Sequence, residues 1–250
     1  MKERDQPHTS PGREDGQFAT TQWNLVLTAC DTPSPASQAA LELLCRTYWP
    51  PLYAYLRRHG HSVDQAQDLT QGFFDFMFRH HTLDYADPQR GWFRHFLLGA
   101  LKRYLRDEHR LSSALKRGPE FRWLPWNDEL PTPPPEDPPA HLRSAEECYE
   151  HRWAITLLGK VLDDLRTECE HRADPKLFEH LKDHICMDDD AVPYAGLAER
   201  LGVSAATLRV TVHRLRQRYR EILRSEVART VGSPAEIDEE IRHLIDAVGW

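Results

Sequence analysis

The chain has 250 residues, of which 40% are hydrophobic and 28% are charged, and its formal net charge is −7 at pH 7. This length is enough for one large domain or two small ones, and the acidic total argues against a nucleic-acid-binding protein, since such proteins are usually basic. The sequence has no apolar run of the roughly 18–20 residues that a membrane span needs, and no apolar segment of a signal peptide follows Met1. Its five cysteines have no CxxC spacing, so we expect a cytoplasmic protein with reduced thiols and no membrane association.

The first half of the chain predicts a disordered start followed by three helices. Residues 1–17 are polar and contain proline and glycine, a composition typical of disorder. Helical periodicity then predicts helices over 36–58, 62–79 and 88–110. Ser62 is the candidate N-cap of the second of these helices.

A proline-rich segment separates the two halves. Eight of the 18 prolines fall between Pro119 and Pro139, and residues 119–150 hold two Lys/Arg against eight acids, a net charge of −6. Proline fixes φ and removes a backbone donor, so this segment is neither a regular helix nor an inner strand. We therefore predict an extended acidic linker over 118–143.

The second half is also helical by periodicity. Helices are predicted over 144–171, 175–186, 194–200 and 204–228. A final short helix begins at Ser233-Pro234, because serine is a good N-cap and proline is favoured in the first turn. The predicted fold is therefore all-α, with two small helical domains joined by a proline-rich acidic linker. The parts are a disordered N-terminus (1–17), a first helical domain (18–117), the linker (118–143), a second helical domain (144–229) and a C-terminal helical extension (230–250).

The charge is strongly segregated along this chain. Residues 90–117 hold eight Lys/Arg against two acids, a net charge of +6, and residues 204–229 hold seven against two, a net charge of +5. Two basic segments therefore lie in an acidic chain. For binding to nucleic acid, such a local basic surface matters more than the total charge does.

The second basic segment has the pattern of a helix-turn-helix. Gly202 stands at the turn, Ala198 allows the two helices to approach closely, and Leu208 and Val212 form part of the inward stripe of the second helix. A capped helix with a basic outer face is suited to the major groove of DNA; the alternative is a helical hairpin whose basic face is merely solvated. The outward residues that we expect to contact DNA are Ser204, Thr207, Arg209, Val210, His213, Arg214 and Gln217, with Arg216, Arg218 and Arg220 continuing the basic face.

The first basic segment mixes aromatic residues with cations. Phe93, Leu97 and Tyr104 belong to a predicted inward face, which leaves the cations on the outward side of the helix. Cations that hold phosphates and rings that stack on unpaired bases are typical of single-strand binding, although a solvated amphipathic helix would show the same pattern. The candidate contacts to nucleic acid are Arg94, His95, Lys102, Arg103, Arg106 and Arg110.

An aromatic run precedes that segment. Four of the six residues from Phe73 to Phe78 are phenylalanine, which is more than one buried stripe requires. Either this helix is buried on most sides, or part of it forms a docking surface for a partner protein. The candidate docking surface consists of Asp68, Gln71, Phe74, Asp75 and Phe78.

These three segments, in this order, resemble a bacterial RNA polymerase sigma factor of the sigma-70 family, extracytoplasmic-function (ECF) type. The sequence AQDLTQGFF (66–74) is similar to the D-x-x-Q-x-x-F helix of region 2 that binds the core enzyme. FRHFL (93–97), with Asp107 and Arg110 after it, is similar to the F-R-x-W-L…D-x-x-R helix that reads and opens the −10 element. YAGLAERLGVSAATLR (194–209) is similar to the region 4 helix-turn-helix that reads the −35 element.

The resemblance implies a function in transcription initiation in which the chain binds but does not catalyse. The first domain would bind the β′ subunit of core RNA polymerase and the −10 single strand, and the second domain, on the β flap, would bind the −35 promoter DNA. An anti-sigma protein or another regulator is a further implied partner. Two alternatives from other classes stay open, namely a freestanding helix-turn-helix regulator and an α-helical enzyme.

Signals for a metal, a cofactor or an active site are weak. His180, His184 and Cys186 have loose spacing and no evident fourth ligand. The sequence contains no P-loop, GxSxG, HExxH or dinucleotide fingerprint. We therefore expect no metal, no cofactor and no enzymatic activity.

Overall fold

A computed structural model describes most of the chain, and all of its regular elements are helical. The described residues are 22–30, 34–87, 90–114, 144–172, 175–185, 194–231 and 233–249. The predicted all-α class is confirmed for them, and within these ranges no helix is both long and apolar enough to span a membrane. The predicted disordered start (1–17) and the whole of the predicted linker (118–143) lie outside the described residues.

The helices follow the predicted order along the chain. The α-helices are α1 (Gln22–Cys30), α2 (Pro35–Arg58), α3 (Val63–Arg79), α4 (Phe93–Ala114), α5 (Ala145–Arg172), α6 (Pro175–Leu181), α7 (Tyr194–Leu201), α8 (Ala205–Ala228) and α9 (Ile237–Val248). Short 3₁₀ turns cover Thr82–Tyr85, Lys182–His184 and Pro234–Glu236.

Side-chain caps fix the starts of several helices. The Ser62 hydroxyl accepts a hydrogen bond from the Gln65 amide at 3.2 Å, and the Gln65 side chain accepts one from the Ser62 amide at 3.1 Å. This capping box satisfies two backbone donors that the first turn of α3 would otherwise leave unpaired. The predicted N-cap is therefore confirmed, and Ser204 caps α8 by accepting from the Thr207 amide at 3.0 Å.

Three details differ from the sequence-based expectation. Helix α4 begins at Phe93 rather than at 88, and the predicted helix over 175–186 is divided into α6 and a 3₁₀ turn. Helix α1 was not predicted at all. It has nine residues, no acidic residue in its first turn and no basic residue in its last turn, so it carries none of the charge signals that mark helix ends.

The core joins helices from both sides of the predicted linker. Helix α5 lies against α2, α8 and α9, and one apolar cluster includes Leu56, Phe73, Leu101, Trp153 and Val227. A second, smaller cluster lies beneath the helix-turn-helix. Its buried members are Leu181, Tyr194, Leu197, Ala198, Leu208 and Val212. The first basic segment is therefore packed next to helices that follow the linker in sequence.

We expect Ser62→Ala to lower the free energy of unfolding by about 1 kcal/mol, because it removes one half of the capping box of α3. Urea-induced unfolding followed by circular dichroism measures this loss. Ser225→Ala is the control, since Ser225 is exposed inside α8 and alanine is the better helix former there. Equal midpoints for the Ser62 variant and the unmodified chain would contradict the capping role.

Candidate nucleic-acid interface

Backbone hydrogen bonds stabilise the turn of the helix-turn-helix. Gly202 has φ +66°, a left-handed conformation that favours glycine, and its amide donates to the Glu199 carbonyl at 3.4 Å. The Val203 amide donates to the Ala198 carbonyl at 3.1 Å. The turn thus ends α7 and directs the chain into the capped start of α8. Val203, which directly follows the turn, is exposed.

The outer face of α8 is open to solvent. All seven residues predicted to contact the −35 duplex are exposed, namely Ser204, Thr207, Arg209, Val210, His213, Arg214 and Gln217. The Arg209 guanidinium lies 5.2 Å from the centre of the Tyr194 ring, and this cation–π contact orients it across the two helices. The face therefore presents cations, hydroxyls and one apolar side chain in the first three turns of a capped helix.

Two of the three arginines expected to continue this basic face bind the protein instead. Arg216 donates to the carbonyl oxygens of His184 and Ile185, each at 3.1 Å. Arg218 pairs with Glu168 of α5 at 2.6 Å. Arg218 nevertheless stays exposed, as does the third, Arg220. Beyond Gln217 the basic face is therefore partly engaged by the protein itself, because Arg216 and Arg218 bind groups outside α8.

The inward face of α4 is as predicted. Phe93, Leu97, Ala100 and Tyr104 are buried, and Phe96 is partly buried. On the other side, Arg103, Arg106 and Arg110 are exposed. These three cations of the candidate −10 surface are accessible to a ligand.

Arg94 is the main correction to the candidate −10 surface. We expected it beside the outward stripe of α4, but its side chain is only 1% exposed. The guanidinium lies between two indole rings, 4.1 Å from the centre of Trp92 and 4.3 Å from that of Trp153. It also pairs with Glu150 at 2.9 Å and with Glu240 through two donors. A buried arginine requires such paired acceptors, because an unpaired buried charge is costly.

Two further cations of α4 also face carboxylates of α5. Lys102 pairs with Glu146 at 2.6 Å, and His95 Nε2 lies 3.4 Å from a carboxylate oxygen of Glu150. The hydrogen bond from Lys102 lowers the pKa of Glu146, while the pKa of Lys102 is raised in turn. Unlike Arg94, both cations keep about half of their side-chain surface exposed.

Glu150 stands between these charges and is strongly held in its ionised form. Burial alone would raise its pKa, but hydrogen bonds from His95 and His243 and the charge of Arg94 outweigh burial and hold the pKa at about 2. His243 belongs to α9 and lies 3.3 Å from the other carboxylate oxygen of Glu150. Glu150 therefore links α4, α5 and α9 at one point.

Two grooves border α4. The first, of about 1300 Å³, lies between α4 and the ends of α2 and α3, and its polar lining includes His59, Asp68, Lys102, Arg106 and Arg110. The second, of about 730 Å³, is richer in rings. It is lined by Phe76, His80, Tyr85, Arg90, Trp92, His95, Phe96, Arg103 and Tyr104, among others.

Sequence reasoning missed several residues of the second groove. His80, Tyr85, Arg90 and Trp92 lie between the end of α3 and the start of α4, and none of them was among the candidate residues. The Tyr85 side chain is 76% exposed. The sequence signal that could have indicated this groove is the presence of aromatic residues next to an arginine in the segment that connects α3 and α4.

The candidate docking surface on α3 is smaller than predicted. Asp68 is exposed, and Gln71, Asp75 and Phe78 are partly exposed. Phe74 does not belong to this surface, because its side chain is 2% exposed and its ring stacks on Trp49 with centres 6.1 Å apart. The aromatic run therefore contributes mainly to the core, and the accessible surface of α3 is acidic and amide-bearing.

Comparisons with known proteins identify no relative of this chain. No family model, curated protein or solved structure matches it. The part of the chain that the structure describes contains no cluster of three or more His, Cys, Asp or Glu side chains that could hold a metal ion. Cys186, one of the weak metal candidates, lies outside that part.

We expect Phe74→Ala to reduce the free energy of unfolding by about 3–5 kcal/mol, because it empties a filled site next to Trp49. Urea titration monitored by tryptophan fluorescence measures the loss. Phe78→Ala, at a partly exposed position on the same helix, should cost clearly less. If both variants unfold at the same urea concentration as the unmodified chain, the Phe74 ring is not part of the core.

The low pKa of Glu150 predicts a specific acid sensitivity. A carboxyl whose pKa falls from about 4.3 in the unfolded chain to about 2 in the fold stabilises the fold above pH 4.3, and this stabilisation is lost as the pH falls toward 2. Glu150→Gln should therefore be less stable at neutral pH and should show a flatter loss of stability between these pH values. Urea titrations at a series of pH values measure both slopes. If the stability of both proteins changes with pH in the same way, the pKa of Glu150 does not differ between the folded and unfolded chain.

Proposed function

We propose that the chain is a sigma factor of the sigma-70 family, ECF type, which binds core RNA polymerase and directs promoter recognition. The observation that carries the proposal is the outer face of α8. Its seven candidate residues are all exposed on a capped helix that follows a tight helical turn, which is the arrangement that reads a major groove. The acidic total charge does not oppose this function, because the basic residues are concentrated locally.

The surroundings of α4 support binding of an opened −10 strand. The aromatic groove contains exposed Tyr85 next to arginines and histidines, so it offers both stacking surfaces and donors for phosphate. Stacking of a base on an aromatic ring contributes about 1–3 kcal/mol and needs bases that are not paired. A duplex-reading helix and a single-strand groove in one chain fit transcription initiation better than they fit a freestanding regulator.

The exposed face of α3 supports a protein partner. Asp68 and partly exposed Gln71 and Asp75 provide acceptors and an amide rather than an apolar patch. Such a surface is complementary to a basic or amide-rich face, and we assign the core enzyme as its partner, with its β′ subunit on α3 and its β subunit near α8. Electrostatic pairing of this kind mainly gives specificity and fast association.

Arg214→Ala tests the assignment of α8. If Arg214 contacts a base edge, the variant should lose about 1–3 kcal/mol of binding to a −35 duplex and should discriminate less at one base pair. Holoenzyme assembled with each variant is assayed against a promoter library in a transcription assay. Arg242→Ala on α9 removes the same charge from an exposed position and should leave the library profile unchanged. Identical profiles for both variants would refute the role of α8.

Asp68→Asn tests the assignment of α3. We expect it to weaken binding to purified core RNA polymerase by roughly tenfold, since it removes the most exposed charge of the docking surface. Asp84→Asn, an exposed carboxyl in the 3₁₀ turn, is the matched control. Fluorescence anisotropy of the labelled chain measures both affinities. If the unmodified chain does not bind core polymerase but binds duplex DNA as a dimer, it is a freestanding regulator instead.

A further inference from the structure

Half of the cations assigned to the −10 surface are paired with carboxylates from beyond the linker. Arg94 pairs with Glu150 and Glu240, and Glu150 also lies next to His95. Lys102 pairs with Glu146. We call these three glutamates the acidic cover, and they belong to the first two turns of α5 and to α9. The cations that face them all lie in the first ten residues of α4.

The arrangement around Arg94 is completed by the C-terminal helix. Glu240 is fully buried, and Leu244, one turn later on α9, is also buried. Near the end of the same helix, the carbonyl oxygen of Ala247 lies 2.8 Å from a ring nitrogen of His151 on α5. Helix α9 therefore packs on α5, and in this position the Glu240 carboxylate closes the site of Arg94.

Carboxylates in these positions are chemical substitutes for phosphates. The guanidinium group binds a carboxylate and a phosphate with the same planar pair of donors, and Glu240 takes two donors of Arg94 in this way. A lysine likewise binds either anion as a point charge. A nucleic-acid strand that used Arg94 and Lys102 would therefore have to displace the acidic cover.

We propose that the acidic cover is an autoinhibitory mimic of the nucleic-acid backbone, built into the chain to occupy the single-strand surface of α4. This inference rests on the proposed function, because it takes α4 to be the −10 surface. Single-stranded DNA and the acidic cover then exclude each other, so α9 leaves Arg94 and the Glu146 and Glu150 side chains leave α4 when the strand binds, while α5 keeps its core contacts with α2. The duplex-reading face of α8, whose seven residues are exposed, is not covered in this way.

The energetics allow the cover to open. The exposed Lys102–Glu146 pair adds little stability in water. The buried pairs of Arg94 are also weak net contributors, because the cost of removing both charges from water offsets most of their attraction. A strand that brings several phosphates to Arg94, Lys102 and the three exposed arginines of α4 competes with only three carboxylates. The ion pairs of the acidic cover therefore do not by themselves lock α9 onto Arg94.

Neutralising the cover tests this proposal directly. The probe is a fluorescein-labelled, A/T-rich single-stranded oligonucleotide, and its affinity for the full-length chain is measured by anisotropy at low salt. If only about one chain in ten has an open α4 and can bind the oligonucleotide, Glu240→Gln raises the apparent affinity for the oligonucleotide up to about tenfold. The exposed Glu146→Gln gives a smaller increase. Glu170→Gln, an exposed carboxyl near the far end of α5, changes the net charge equally and should leave the affinity unchanged.

Hydrogen exchange of the unmodified chain provides a second measurement, which decides the question if Glu240→Gln does not fold. Saturation with the same oligonucleotide should speed up amide exchange across α9, because the helix leaves Arg94. Unchanged or slower exchange of α9 on bound chain overturns the proposal. So does an equal gain in affinity for Glu146→Gln and Glu170→Gln, since net charge alone would then explain it.

The two proposals fail in different ways. If the oligonucleotide binds neither the unmodified chain nor the Glu146 variant, the acidic cover is not autoinhibitory, whatever the chain does with polymerase. If α9 is released by the oligonucleotide but core RNA polymerase is not bound, the cover is supported and the sigma-factor function is refuted.

Discussion

One buried guanidinium joins α4, α5 and α9 at a single point. Arg94 lies between the rings of Trp92 and Trp153 and satisfies its donors on Glu150 and Glu240. Its backbone carbonyl also accepts a hydrogen bond from Tyr149 at 2.9 Å. Because a buried charge without acceptors is unfavourable by several kcal/mol, α4, α5 and α9 can pack around this residue only as a set. Any change that removes one of them exposes Arg94 or leaves it unpaired.

Local sequence signals were sufficient wherever structure depends on close neighbours. The caps at Ser62 and Ser204 each bind an amide three residues later, and the turn at Gly202 needs only a residue that tolerates positive φ. Periodicity likewise predicted the inward face of α4, since that face is defined by the helix itself. These features gave the all-α class, most helix bounds and the open face of α8.

Long-range partners explain what the sequence could not predict. The acceptors of Arg94 lie 56 and 146 residues away, so a helical pattern could show which side of α4 Arg94 occupies but not that another helix would cover it. Phe74 is a similar case, because its burial depends on Trp49 of α2. Both residues stood in motifs that suggested a surface role. Motifs select residue types, whereas burial is decided by the other elements that pack on them.

The distribution of charge in the fold now differs from its distribution along the sequence. Glu146 and Glu150 count among the acids of the segment 119–150, yet they lie on α5 and face the basic helix α4 rather than solvent alone. Part of the +6 of the first basic segment is thereby neutralised inside the chain, while the outer face of α8 keeps its cations exposed. The two basic helices are thus unequal. The cations on the outer face of α8 are exposed, whereas part of the charge of α4 is paired with carboxylates of α5 and α9.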